Sequence, residues 1–337
     1  MPSPFPLLAL ETSCDETAAA VILDGGEVAS SVVRTQVAEH AAFGGVVPEL
    51  ASRRHLEWID AVVDQACSDA GVTLDGIAGV GVTRGPGLVG CLLVGLAWAQ
   101  GLTIARHLPL LVVNHLEGHL LAPFIGHGEP PFPFLALTVS GGHTSLVHAH
   151  ELGRYEVLGQ TLDDAAGEAF DKSARLLGLP YPGGVHIDRL AQAGDSAAIA
   201  FPRGMSRKPG YSFSFSGLKT AVWNHVEAHG RPEGQPLHDL CASLQEAIVD
   251  ALLIKTRKAA RELGITRIAV TGGVAANSRL RSAFAEAAEK EGWELHRPEM
   301  RFCTDNAGMI GYVAALRMAR GERSAPDLNV DPGFRLG

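Results

Sequence analysis

The feature that most constrains what this 337-residue chain can fold into is an internal repeat. Residues 7–23 (LLALETSCDETAAAVIL) lie over residues 134–150 (FLALTVSGGHTSLVHAH) without a gap, so that Leu8/Leu135, Ala9/Ala136, Leu10/Leu137, Ser13/Ser140 and Thr17/Thr144 coincide. Each copy reads as an apolar strand, a short polar or glycine turn and a second apolar strand, the pattern of a hairpin. A second pair, GVGVTRGPG (79–87) and RIAVTGGVA (267–275), reads as strand, T-x-G turn and helix. The hairpins are offset by 127 residues and the turns by 188. A duplicated lobe with roughly 60 extra residues in its second copy accounts for both offsets.

The extra residues belong between about 150 and 240, where the texture changes to Gly, Pro and Ser with aromatics (LPYPGG, FPRGMSRKPGYSFSFSG). Such a segment reads as a substrate-facing insertion. Beyond it, Leu237–Leu263 has a helical apolar period, and Thr304–Arg320 reads as a helix opened by an Asp/Asn cap and ended by Gly321. The expected organisation is a first lobe over 1–126, joined by the C-terminal segment 306–337, and a second lobe over 127–305. Two lobes that each open with a polar or glycine hairpin turn outline the α/β actin-like ATPase (ASKHA) fold, whose turns hold phosphates through backbone N–H groups. Ser140-Gly141-Gly142 suits that task. No G-x-x-x-x-G-K-[ST] is present, which excludes a P-loop NTPase on its own motif. The first turn also departs from the D-x-G-x-[ST] of kinases with this fold. Glu11 to Thr17 crowds carboxylates and a thiol there, which suits positioning a substrate or metal-bound water better than a triphosphate.

Composition narrows the classes further. With 46% hydrophobic and 19% charged residues the chain buries a core, and disordered or fibrous classes are out. A net charge of -9 argues against a protein that coats nucleic acid or an anionic membrane. The five cysteines include no C-x-x-C, so no disulfide framework is indicated and a reducing cytosol fits. Met1–Pro6 carries no targeting signal, so a cytoplasmic location is expected. The apolar stretch Leu88–Ala105 contains three glycines and follows a glycine turn, which favours a buried core helix over a membrane span.

His115-Leu-Glu-Gly-His119 places two imidazoles at i and i+4, adjacent on one helical face and able to share a metal ion. A zinc peptidase needs its glutamate directly after the first histidine. Glu117 stands two residues on, about 200° around the helix, and points away from that face. Asp305, at the start of the terminal helix, is the best third ligand. Two histidines and a carboxylate with open positions suit Fe(II) or Zn(II), while two histidines at this spacing on an amphipathic helix also read as ordinary surface residues.

Nine segments together carry a family resemblance: ETSCDET (11–17), GGVVPELASR (44–53), TRGPGLVG (83–90), NHLEGH (114–119), VSGGHT (139–144), AAGEAFDK (165–172), SFSGLK (214–219), GGVAAN (272–277) and CTDNAGMI (303–310). In this order, from about residue 7 to residue 320, they resemble the TsaD family, the tRNA N6-adenosine threonylcarbamoyltransferases once described as glycoproteases. The resemblance implies transfer of the threonylcarbamoyl group from threonylcarbamoyl-AMP, made by a TsaC-type enzyme, to N6 of adenosine 37 in tRNAs that read codons beginning with A. It implies metal ligands at His115, His119 and Asp305, with iron the usual ion. It implies substrate contacts at Thr138, Val139, Ser140, Gly141, Gly142, Asp171, Gly184 and Asn277, joined by Asp188 at the ribose. A TsaB-like heterodimer partner and a TsaE-like ATPase are also implied, with an apolar face on the first-lobe helices, including Leu50–Val63, as the contact.

A neutral exocyclic amine is a weak nucleophile, so a nearby base should help; Asp15, Glu16 and His143 are the candidates, each equally readable as a positioning group. After Tyr181-Pro-Gly-Gly184 the family often continues with proline, whereas Val185-His186 stands here, which leaves His186 without a reading. The alternatives, a metallopeptidase and an actin-like-fold ATPase or kinase, lack the placed glutamate and the D-x-G-x-[ST] turn. From Ser196 to Val226 there is no Asp or Glu, while Arg203, Arg207, Lys208 and Lys219 stand among Tyr211, Phe213, Phe215 and Trp223. Charges for phosphates and rings for bases would suit tRNA; a loop packed by its own aromatics reads the same way.

Overall fold

A computed structural model describes residues 3–206 and 208–336. The chain divides into two compact units, residues 1–131 with 304–336 and residues 132–303. Asp305, expected at the end of the second lobe, therefore belongs to the first unit.

The first unit is built on β1 (Leu7–Glu11), β2 (Glu16–Ile22), β3 (Val28–Thr35), β4 (Gly79–Gly85) and β5 (Leu110–Asn114), in the order β3-β2-β1-β4-β5. The β1–β2 and β2–β3 pairs are antiparallel, whereas β4 runs parallel to both β1 and β5. Its helices are α1 (Val37–Ala41), α2 (Pro48–Asp69), α3 (Val89–Arg106), α4 (His115–Leu121) and, after the five helices of the second unit, α10 (Ala307–Ala319). Side-chain alternation along the central strands separates the two faces. Leu8, Leu10, Val80 and Val82 pack with Trp58, Ile59, Val62, Val94 and Leu96 of α2 and α3. The opposite face is lined by small residues, which lets α10 approach closely. A Cβ on Gly81 would meet the Ala314 Cβ at 2.7 Å, and one on Gly311 would meet the Ala9 Cβ at 2.8 Å.

Among the described residues α3 is the one helix long and apolar enough to cross a membrane. Cys91, Leu92, Gly95, Leu96 and Ala99 are buried on one side, but Val89, Leu93 and Ile104 are exposed. The stretch expected to be a buried core helix is thus covered on one face only. Its composition conceals this, because both faces are apolar and the usual polar marker of a solvent side is missing.

The second unit contains β6 (Phe134–Val139), β7 (Thr144–Glu151), β8 (Arg154–Gln160), β9 (Arg267–Thr271) and β10 (Glu294–His296), ordered β10-β9-β6-β7-β8. Its helices are α5 (Ala166–Leu176), α6 (Gly183–Ala191), α7 (Ser216–His229), α8 (Gln235–Leu263) and α9 (Ser278–Glu291). Strand order and direction repeat those of the first unit, and so does the register. Glu11 pairs with Ala18 as Thr138 pairs with Ser145, and Leu10 with Val82 as Leu137 with Val270. These are the same offsets, 127 and 188, that the sequence repeat shows. Because β8 is the counterpart of β3, residues 154–160 belong to the sheet, and the insertion begins after them rather than near 150. It carries α5, α6 and α7, and its Phe170, Phe213 and Phe215 join Leu137, Leu146, Ile248 and Phe284 in one core.

Candidate functional site

Strand β5 leads directly into α4, and Asn114 fixes the junction. Its Oδ1 accepts from the N–H groups of Leu116 and Glu117 at 2.8 and 3.4 Å, which supplies a cap. Its Nδ2 donates to the carbonyls of Phe334 and Arg335, both at 3.1 Å. One turn apart on α4, the rings of His115 and His119 stand 4.7 Å apart between centroids. Asp305, two residues before α10, places Oδ1 at 2.9 Å from His119 Nε2 and 3.5 Å from His115 Nε2. The three expected ligands therefore converge, with one donor atom from each within 4.8 Å of the others. Glu117 is buried and accepts from Arg317 Nη1 at 3.1 Å, so it does not serve the histidine face.

Glu11 has a role that reading the sequence did not assign. From the end of β1, its Oε2 accepts from His115 Nδ1–H at 2.9 Å and from Thr83 Oγ1 at 2.6 Å, while Oε1 accepts from the Ser13 N–H. Burial pushes this carboxyl up, but the charge of His115 and the hydrogen bond to it outweigh burial and hold it below its ordinary range. For His115 burial lowers the pKa, and the negative charges of Asp305 and Glu11 overcome that and raise it to about 9. The bond at Nδ1 leaves Nε2 directed at Asp305 and His119, the arrangement that prepares an imidazole for a metal. Two imidazole nitrogens and a carboxylate oxygen fit a divalent ion such as Fe(II) or Zn(II). Bound there, the ion would take over the positive charge that His115 otherwise supplies between two buried acids.

The turn from Thr12 to Asp15 is held from α2. His55 Nε2–H donates to the Cys14 carbonyl at 3.0 Å, and its Nδ1 accepts from Thr17 Oγ1 at 2.7 Å. Asp15 is buried and Glu16 half-buried. Burial first, then the charges of Asp305 and Asp15, raise Glu16 to about 9. A cation beside Asp305 would remove part of that push. Burial and the same acids also raise the Cys14 thiol, so it is not a thiolate nucleophile.

The second unit holds a pocket of about 350 Å³ lined by Gly141, Asp171, Gly184, Asp188, Gly273 and Asn277, together with Gly167, Phe170, Pro182 and Met300, which the sequence reading did not name. Asp171 Oδ1 accepts from the N–H groups of Gly183 and Gly184 at 2.7 and 3.3 Å. Burial raises this carboxyl despite those bonds. Asp188 accepts from the Ser278 hydroxyl at 2.6 Å and its N–H at 3.1 Å. Asn277 caps α9 through the Leu280 N–H at 2.9 Å and donates to Gln245 Oε1 at 2.7 Å. Thr138 and Val139 are buried in β6 and do not line the pocket. Ser140 and the exposed Gly142 and His143 form the turn beyond it. Nothing lies within 4 Å of a Cβ built on Gly141 or Gly142, and neither has a positive φ. Neither packing nor conformation requires glycine there, and the missing side chains leave the backbone of the turn open to close approach.

The basic and aromatic segment is arranged differently from the expected RNA surface. Phe213 and Phe215 are buried in the core, since a fourteen-residue helix beside them needs an apolar footing, and Tyr211 hydrogen-bonds Glu262. Arg203 is held by Asp250 at 2.9 and 3.0 Å. Lys208, Lys219 and Trp223 are exposed, and Arg207 lies outside the described residues. His186 is half-buried on α6 beside the pocket-lining Val185.

Comparison with known proteins bears on these sites. The sequence profile of the TsaD family, tRNA N6-adenosine threonylcarbamoyltransferase, matches residues 27–312. Proteins named tRNA N6-adenosine threonylcarbamoyltransferase from Anaeromyxobacter sp. (strain Fw109-5) and Geobacter sulfurreducens are 58% and 56% identical, each over 98% of this chain and over 99% and 97% of their own lengths. Among solved structures, component A of the Acidaminococcus fermentans (R)-2-hydroxyglutaryl-CoA dehydratase is 14% identical with a TM-score of 0.55, over 93% of this chain and 98% of its own. Full-length HypF is 12% identical with a TM-score of 0.61, over 94% of this chain and 56% of its own. These two likenesses show the actin-like ATPase fold.

Proposed function

We propose how the two units work from one premise: the chain belongs to the TsaD family and is a tRNA N6-adenosine threonylcarbamoyltransferase, a transferase that forms N6-threonylcarbamoyladenosine. The observation that carries the reading to particular residues is the convergence of His115, His119 and Asp305, with Glu11 setting the His115 tautomer.

In the proposed reaction the N6 amine of adenosine 37 attacks the carbamoyl carbon of threonylcarbamoyl-AMP. The new C–N bond forms as the bond from that carbon to the phosphate oxygen breaks, AMP departs, and the amine loses a proton. His115, His119 and Asp305 would hold one divalent ion, iron by family expectation, which supplies Lewis-acid stabilisation of oxygen charge. The pocket of the second unit would take the adenylate. Backbone at Gly141 and Gly273 approaches the ligand, and Asp171 and Asp188 offer carboxylates to ribose hydroxyls. Asn277, already bonded on both sides, shapes the wall beside the base. Asp15 and His143 stay as candidates for accepting or positioning the amine proton. Glu16 stays a candidate beside them, as base or positioning group, because a cation at Asp305 would remove part of what raises its carboxyl.

Partners follow from the same premise. A TsaC-type enzyme would supply the donor, and a TsaE-like ATPase would assist. The exposed Val89, Leu93 and Leu56 give a TsaB-like subunit an apolar face to cover. Lys208 and Lys219 would meet tRNA phosphates. The test combines labelled threonine, bicarbonate, ATP, a TsaC-type enzyme, the partner subunits, unmodified tRNA and this chain. Labelled tRNA is expected; unlabelled tRNA with an active donor synthesis would overturn the reading.

A further inference from the structure

A second group of metal-ligating side chains lies on β7 and β8, at the opposite end of β7 from the Ser140–His143 turn. His148 and His150 are two residues apart on β7, and Glu156 of β8 stands opposite His148 in the register. Between Ala149/Tyr155 and Glu151/Arg154 the register slips, which makes His150 the extra residue of a bulge. Bulges re-aim a side chain, and they recur beside functional sites. Here the bulge brings the two imidazoles to 3.8 Å between centroids and sets His150 Nε2 at 3.2 Å from Glu156 Oε2. One donor atom from each of the three residues lies within 4.8 Å of the others. Arg154, the adjacent cation, donates to Glu151 instead, at 3.3 Å.

We propose that His148, His150 and Glu156 form a second divalent-metal site, suited to a borderline transition metal such as Zn(II), that clips the edge strand β8 to β7. Zn–N bonds are about 2.0–2.1 Å, so ligand atoms must draw to roughly 3.4 Å apart. Partly exposed side chains reach that spacing by small rotations. Two charged imidazoles this close repel each other, and a shared metal requires neutral rings. Zinc takes a fourth ligand in its tetrahedron, and the open position at this surface leaves room for water or a donor from another molecule. The site stands apart from the transfer chemistry and does not depend on it.

The test is a zinc titration by calorimetry on the full, chelator-stripped chain, comparing wild type with His148→Ala/His150→Ala, Glu156→Gln and His115→Ala. Wild type is expected to bind two zinc equivalents, and the double variant one. His115→Ala should lose the other equivalent and keep that of His148 and His150. Glu156→Gln, a change at a largely exposed side chain that leaves folding intact, should weaken the second equivalent and spare the first. Equal zinc stoichiometry in wild type and the double variant would overturn the proposal.

Discussion

Glu11 Oε2 accepts a hydrogen bond from His115 Nδ1 at 2.9 Å, joining two residues 104 positions apart. The repeat explains what is particular about it. Glu11 is the counterpart of Thr138, and Thr83 that of Thr271, at the ends of paired parallel strands. The first copy has a buried carboxylate where the second has a hydroxyl, and α4 brings the histidine that uses it. One strand-end position thus orients a metal ligand in one unit and abuts the glycine turn in the other.

Replacing that carboxylate tests its task. In Glu11→Gln the neutral amide keeps the size of the side chain but no longer favours a proton on Nδ1. Metal affinity should fall about 10- to 100-fold, the usual cost of losing such a partner. Metal content after equilibrium dialysis at fixed free ion concentration reads the change, and unaltered content would show that Glu11 does not set the ligand.

Asn114 couples the metal helix to the C-terminal segment. Asn114→Ala should lower stability by about 1–2 kcal/mol through the lost cap. Asn114→Asp keeps the accepting oxygen and loses the donor to Phe334 and Arg335. Chemical denaturation of the two variants separates the contributions: the aspartate variant should be the more stable of the two.

The two adjacent glycines that open α6, of which Gly184 lines the second-unit pocket, should behave oppositely. A Cβ on Gly183 would sit 2.2 Å from the Ala174 Cβ, so Gly183→Ala forces α6 from α5 and should cost about 1–3 kcal/mol. At Gly184 the nearest atom is Phe170 Cβ at 3.7 Å, an ordinary contact. Gly184→Ala should therefore retain the wild-type melting temperature while weakening AMP binding, measured by calorimetry.

His55 gives the fold a dependence on pH. Burial, the largest influence, lowers its pKa below the ordinary 6.5 even though the Cys14 carbonyl and nearby acids favour the charged ring. At this residue the unfolded chain then binds more protons than the folded one as pH drops past 6.5, so its contribution to stability rises with pH across that window. His55's contribution is complete above about 6.5 and declines as pH falls toward its folded-state value. The difference between the denaturation midpoints of wild type and His55→Gln, followed from pH 5 to 8, should move against wild type as pH falls below 6.5; a difference that does not change with pH would contradict this.

Much of this was legible in the chain because the repeat is gapless where it matters. The offsets 127 and 188 recur as strand register, and the spacing of His115 and His119 is a helical turn. What the sequence concealed depends on partners distant along the chain. Glu11 reads as one more acid in a polar turn until α4 places His115 against it. Phe213 and Phe215 look like stacking rings among basic residues until the core behind them is seen. Asn277 looks free to read a base, yet the α9 cap and Gln245 both claim its amide. The exposed side of α3 was hidden because a helix with two apolar faces gives no periodic signal.

The most direct measurement is the nucleoside composition of tRNA after reconstitution with donor synthesis and partner subunits. Digested tRNA from the wild-type reaction should contain N6-threonylcarbamoyladenosine by mass spectrometry. Reactions with His115→Ala or Asp305→Ala, each folded and depleted of metal, should contain little or none. Absence of the modified nucleoside with wild type, despite confirmed threonylcarbamoyl-AMP, would contradict the account, as would equal yields from variants lacking a ligand.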